Sequence, residues 1–295
     1  EDWGLGPEVL LKQNPALIML RVSGYGQTGP YRDRPGFGVV AEAMGGLRHL
    51  SGEPGQTPVR VGVSIGDTLA ALHGVIGILL ALQERHRSGQ GQMIDMALYE
   101  AVFNCMESLV PEFSAFGVVR EPAGSALPGI APSNAYRCTD GHVLIAGNGD
   151  SIFRRLMQAI DRNDLGQAPD LADNAGRVAR VKVIDAAIEA WTQQRSVVEV
   201  LAVLDQAQVP SGRIFTAADI AHDPHYQARD MLLPTLQADG STVLLPGIVP
   251  KLSRTPGRSR QPAPMAVGQD SAAILQEMGL SPEQIPSLKA QGIVA

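Results

Sequence analysis

A chain of 295 residues with 44% hydrophobic and 18% charged side chains has enough apolar material for a large core, which excludes a peptide module or a disulfide-stapled scaffold. Its formal charge of −6, without any dense lysine or arginine block, argues against nucleic acid or an anionic membrane as a partner. Two cysteines, Cys105 and Cys138, read as reduced packing residues, and the start Glu1-Asp2-Trp3-Gly4 has no basic and apolar signal pattern, so a cytoplasmic location is expected.

Residues 9–13 predict a helix, and residues 16–23 a buried strand that feeds the loop Gly24-Tyr25-Gly26-Gln27-Thr28-Gly29-Pro30. A short helix is expected over 39–46, a turn over 52–56 and a strand over 58–63. Residues 68–87 set Leu69, Leu72, Val75, Ile76, Leu79, Leu80 and Leu82 along the wide stripe of a buried helix. The apolar stretch ends at Gln83-Glu84-Arg85, too short to cross a membrane, and Gly89-Gln90-Gly91 stops the helix. Residues 93–96 read as a strand and 99–113 as one long helix. This alternation is the mark of a parallel α/β layer.

Composition shifts at Phe116, and residues 116–132, rich in Gly, Pro, Ser and Ala, read as a linker. Residues 134–137 and 142–146, joined by Thr139-Asp140-Gly141, predict a β-hairpin. Helices over 151–160, 177–195 and 197–207 complete a smaller α+β unit. From Thr216 the chain reads as loop-rich through Asp223-Pro224-His225-Tyr226, ending in short helices over 271–278 and near 282–291. The basic run over 254–260 reads as a solvated loop. No metal site is expected.

Two catalytic motifs share one turn. Gly62-Val63-Ser64-Ile65-Gly66 matches G-x-S-x-G between a predicted strand and a predicted helix, the context of a serine nucleophile. Its base would come from His142, His222 or His225, with Asp95 or Asp140 as the acid. No HGGG-type stretch completes an oxyanion hole. Asp67, directly before the predicted helix, suits an N-cap, whose oxygen accepts from free backbone N–H groups. The same N–H groups and helix dipole suit a carboxylate nucleophile, and Gly62, Gly66 and Gly74 leave room for a bulky ligand. Physics alone leaves these readings open.

The order of further motifs decides between them. Ser23-Gly24-Tyr25-Gly26-Gln27-Thr28-Gly29-Pro30 is followed by Glu42-Ala43-Met44-Gly45-Gly46, Ser51-Gly52-Glu53-Pro54-Gly55, Gly66-Asp67 with Gly74, and Gly89-Gln90-Gly91-Gln92. Asp223-Pro224-His225-Tyr226, Lys251-Leu252-Ser253-Arg254-Thr255-Pro256-Gly257 and Ile274-Leu275-Gln276-Glu277-Met278-Gly279-Leu280 close the series. This order resembles the family III CoA-transferases of the CaiB/BaiF type, a group that includes the α-methylacyl-CoA racemases.

The resemblance implies an α/β fold with a Rossmann-like large domain built from both chain ends, residues 1–115 and 216–295, and a smaller α+β domain over 133–215. It implies an interlocked homodimer, acyl-CoA and small carboxylic acids as partners, coenzyme A as substrate, no permanently bound cofactor, and Asp67 as the catalytic nucleophile. Family members begin with a further stretch of strands and helices that helps bind CoA, so a fragment with an incomplete CoA pocket, holding acyl-CoA without chemistry, is a third reading. Tyr25, Phe37 and Met44 are candidates for the apolar wall around Asp67. Gln27 and Arg34 are candidates for acyl or phosphate oxygens, Gly66 for the oxyanion, and Gly129 for a loop over the intermediate. The runner-up is the racemase branch, in which the aspartate pairs with a histidine thirty residues earlier. That position holds Phe37 here, and His49 belongs to a different stretch.

Overall fold

The computed structural model describes residues 1–237, 239–259 and 266–295. Arg260, the end of the basic run, lies outside the described residues. The chain divides into two units, Glu1–Arg213 and Ile214–Ala295.

The first unit opens with α1 (Pro7–Gln13), β1 (Met19–Ser23), α2 (Gly38–Met44), α3 (Leu47–Leu50), α4 (Ile65–Ser88) and β2 (Met93–Ala97). β1 and β2 pair in parallel, Met19 opposite Met93 through Ser23 opposite Ala97, and α4 is the last of three helices between them in sequence. It lies close on the sheet because two glycines face it. A methyl built on Gly74 would come within 2.8 Å of Leu20, and one on Gly77 within 3.2 Å of Ile94. Gly89 ends α4 at φ +75°, its N–H donating to Arg85 O, a left-handed C-cap as the sequence predicts.

Three expectations change here. No strand forms over 58–63, where Val59, Val61 and Val63 alternate but find no partner strand and stay exposed. The helix α4 is not buried all along its apolar stripe. Gly66, Ala70, Gly74 and Ala81 form its buried face, while Leu72, Val75, Ile76, Leu79 and Leu80 are each more than half exposed. At 24 residues it is also long and apolar enough, by length and composition, to cross a membrane. Its packing on β1 and β2 places it in the α/β layer of this unit.

The long helix expected over 99–113 is two, α5 (Leu98–Asn104) and α6 (Leu109–Phe116), separated where Glu107 takes φ +51°. The hairpin forms as β3 (Ser133–Arg137) and β4 (His142–Ala146), joined antiparallel by β5 (Ser211–Arg213). Between β4 and β5 run α7 (Asp150–Ala159), α8 (Asn163–Gly166), a 3-10 turn at Pro169–Leu171, α9 (Asn174–Ala179), α10 (Val181–Thr192) and α11 (Val197–Gln206). The single helix expected over 177–195 is thus α9 and α10, broken at Arg180. Tyr136, Val143 and Ile145 meet Phe153, Leu156, Ile184, Ile188, Val200 and Leu204 in the main core cluster. Cys138 packs there, and burial pushes its thiol up; both cysteines are free.

The second unit holds α12 (Ala217–His222), α13 (Pro224–Ala228), the antiparallel pair β6 (Leu232–Leu236) and β7 (Thr242–Pro246), α14 (Ser271–Glu277) and α15 (Gln284–Ala290). The stretch read as loop at 223–226 is a helix junction. Asp223 caps α13, accepting from the N–H groups of His225 at 2.9 Å and Tyr226 at 3.0 Å.

Candidate active site

The sequence places a carboxylate where α4 begins, and the helix start fixes what it can do. α4 starts at Ile65 with Ser64 as its N-cap, so Asp67 is the third helical residue and not the cap. The Asp67 side chain is exposed and makes no hydrogen bond or ion pair among the described residues. It has no capping role. The N–H groups of the first turn lack intrahelical partners and, with the helix dipole, make this a favourable place for negative charge.

Packing between α2 and α4 sets the position of that carboxylate. Gly38, the first residue of α2, presents bare backbone to it: a methyl there would overlap Asp67 Oδ2 and lie 2.8 Å from Cγ. Gly66 is less confined: its own methyl would meet Gly38 O at 3.2 Å, Val102 at 3.4 Å and Glu42 Cγ at 3.5 Å. Gly38 cannot gain a side chain without moving the Asp67 carboxylate. Phe37, the residue before Gly38, is 78% exposed beside this seat.

The loop over 24–36 returns to the same place because Gly24 and Gly36 approach closely enough that a methyl on either would lie 2.9 Å from the other's Cα. Tyr25 packs on Gly36 and edge-on to Tyr31, with Tyr99 at 6.4 Å. Arg34 stacks 3.8 Å over the Tyr31 ring. Asp95 on β2 holds the loop by accepting from Gln27 N–H at 2.9 Å. Tyr25, Gln27, Arg34 and Phe37 therefore belong to segments that converge on the start of α2. Gly129 is separate: its carbonyl accepts from Asn174 Nδ2 at 2.8 Å, which ties the linker to α9.

Two residues that the sequence alone did not bring to the site are Gly38 and Glu42. Glu42 is 1% exposed next to Gly66, and Oε2 accepts from Arg48 at 3.3 Å while Oε1 has no donor. A charged residue between Ala41 and Ala43 on a short helix was the available signal. Its relation to Asp67 is tertiary and had none.

The profile of CoA-transferase family III matches residues 1–271. This chain belongs to that family. It is 43% identical over 296 residues to the succinyl-CoA--D-citramalate CoA-transferase of Chloroflexus aurantiacus, covering 100% of this chain and 73% of the relative. The beta subunit of that organism's succinyl-CoA--L-malate CoA-transferase is 40% identical, with 100% of this chain and 74% of the relative covered. A crystal structure of a CaiB/BaiF family protein from Brucella suis matches with a TM-score of 0.77 at 33% identity, covering 94% of this chain and 72% of that one. The protein is a CoA-transferase with the mixed α/β fold of its family.

In this family III enzyme the rival serine motif loses its context. The strand before Ser64 is absent, and Ser64 Oγ faces Arg60 at 3.4 Å with no histidine bonded to it. His73, on the same helix, bonds to Leu69 O and Asn104, and His49 to Arg120 O. Phe37, thirty residues before Asp67, carries no group able to move a proton. Among the described residues no cluster of three or more His, Cys, Asp or Glu could hold a metal ion.

Proposed function

We propose that this family III enzyme moves coenzyme A from succinyl-CoA to a second dicarboxylic acid, with the Asp67 carboxylate as nucleophile. The observation that carries this reading is the unpartnered carboxylate of Asp67, seated on the bare backbone of Gly38 in the first turn of α4. The substrate class is supported by the relatives, whose names pair succinyl-CoA with D-citramalate or L-malate.

An Asp67 oxygen attacks the thioester carbonyl of the donor, the C–S bond breaks, and CoA thiolate leaves an acyl-aspartyl anhydride. The thiolate attacks the aspartyl carbonyl and expels the donor acid, giving an aspartyl-CoA thioester. The acceptor carboxylate then attacks that thioester, and the released thiolate takes the acceptor acyl group from the second anhydride, restoring Asp67. No net proton or electron is moved. Free N–H groups of the first turn of α4, that of Gly66 included, are the donors for each oxyanion. Tyr25 and Phe37 supply an apolar wall against hydrolysis of the anhydride, and the linker around Gly129 supplies a cover. Gln27 and Arg34 are assigned to acyl or phosphate oxygens of the CoA ester.

The large domain is assigned to residues 1–115 and 216–295, the small domain to 133–215, and the active form to an interlocked homodimer in the cytoplasm. The exposed apolar face of α4 supports the assembly. In the full-length enzyme, Asp67→Asn lowers transfer at least about 1,000-fold, because an amide cannot form the anhydride. Ser64→Ala lowers it no more than about tenfold, the range of one lost hydrogen bond. A dead Ser64 variant beside a normal Asp67 variant would overturn the assignment.

A further inference from the structure

The mechanism leaves one motif unused. Ser64 sits at the N-cap of α4, and its hydroxyl is bonded not to a base but to the guanidinium of Arg60. Residues 54–66 contain no acid, so Arg60 brings the single charge of this exposed segment to the helix start that carries Asp67. No carboxylate pairs with it among the described residues.

Of the four other arginines before α4, three are paired with carboxylates, and Arg34, stacked on Tyr31, is the one already assigned to oxygens of the CoA ester. Arg48 is paired with the buried Glu42, Arg34 lies flat on Tyr31, Arg32 bonds Asp33, and Arg21 bonds Glu1. Arg60 combines a charge that no carboxylate pairs among the described residues with a tether to Ser64 at the start of α4.

The spacing fits a diacid. Ser64 and Asp67 are three residues apart on a helical path, a rise of about 4.5 Å. In a four-carbon diacid, three carbon–carbon bonds separate the two carboxyl carbons by about 4 Å. With its thioester carbon against Asp67, an acyl group of this kind places its second carboxylate within one turn, where Arg60 and the Ser64 hydroxyl stand.

We propose that Arg60, held by Ser64, is the specificity-determining residue that binds the free carboxylate of a dicarboxylic acyl group during transfer. This rests on the reading of the enzyme as a dicarboxylyl-CoA transferase. A guanidinium fits the planar carboxylate through two parallel hydrogen bonds, whereas a methyl terminus gains nothing from it. The segment before α4 thus selects diacids over monoacids of the same length.

The test compares kcat/KM for succinyl-CoA and butyryl-CoA, which differ in a terminal carboxylate against a methyl, in the full-length enzyme and in Arg60→Met and Arg60→Lys. The expected result is a fall of about 30-fold or more in the succinyl-to-butyryl ratio for Arg60→Met, the range of a lost charge-assisted bond, with part of the ratio regained by Arg60→Lys. Because Arg60 is exposed on a coil, matched melting curves verify that both variants are folded. An unchanged ratio overturns the role of Arg60 and leaves the transferase reading intact. A wild-type enzyme that does not favour succinyl-CoA over butyryl-CoA overturns the dicarboxylate reading, and the role of Arg60 with it.

Discussion

A methyl group at Gly38 would occupy the space of the Asp67 carboxylate, so the backbone of one helix start sets the reach of a side chain on another. Gly38→Ala tolerates the helix but displaces the carboxylate, and a displacement near 1 Å costs about 100-fold in rate. The prediction is a fall of that size in kcat with an unchanged far-UV spectrum. A Gly38→Ala enzyme with the wild-type kcat would show that Asp67 does not work from this seat. The glycine's role was not legible in the sequence, because only packing of α2 against α4 brings it under a residue 29 positions later. Asp67 is a candidate through Gly66-Asp67 and the motif order around it, which do not give its place in the helix. Ser64 is as good an N-cap type as Asp67, so the sequence offered two starts three residues apart, and α4 takes the earlier one.

Among the elements, β3 and α10 are joined by a partly buried polar contact: Tyr136 donates to Asp185 Oδ1 at 2.7 Å, and Asn134 donates to Oδ2 at 3.2 Å. Burial, then the charge of Asp185, pushes the Tyr136 phenol well above its ordinary value of 10. The folded state therefore holds this proton more tightly than the unfolded chain. Its contribution to stability is full below pH 10 and is lost as pH rises above that value. Tyr136→Phe removes a donor from Asp185 and costs about 1–2 kcal/mol at neutral pH. Urea midpoints measured across pH 8 to about 11 should fall more steeply for the wild type than for Tyr136→Phe. Parallel curves would show that this contact is not what alkali breaks. The hairpin and the helices α7 and α11 were legible because a short turn and strong periodicity specify them locally, whereas the break at Arg180 between α9 and α10 was not. The break between α5 and α6 was not, since Glu107 carries no glycine-like signal for its left-handed backbone. The absent strand at 58–63 has an alternating pattern but no neighbour to pair with, and pairing is a property of the fold.

For the molecule as a whole, α4 is the element with two apolar faces. Its small residues close on the sheet, while Leu72, Val75, Ile76, Leu79 and Leu80 face outward. The sequence showed the apolar stripe but not its division, because glycine and alanine carry little hydrophobic weight while allowing the closest approach. An exposed stripe of this size fits assembly, and an interlocked homodimer predicts that dilution releases no folded monomer, since threaded subunits separate only with partial unfolding. Sedimentation over a wide concentration range checks this, and a compact monomer at low concentration would remove the idea. The central claim concerns the covalent bond at Asp67, and trapping it is the most direct measurement. The enzyme is incubated with succinyl-CoA, quenched with hydroxylamine and mapped by peptide mass spectrometry. The account predicts a hydroxamate on Asp67 that appears only with the acyl-CoA present, whereas an unmodified Asp67 with turnover intact, or a hydroxylamine-sensitive acyl group on Ser64, would contradict it.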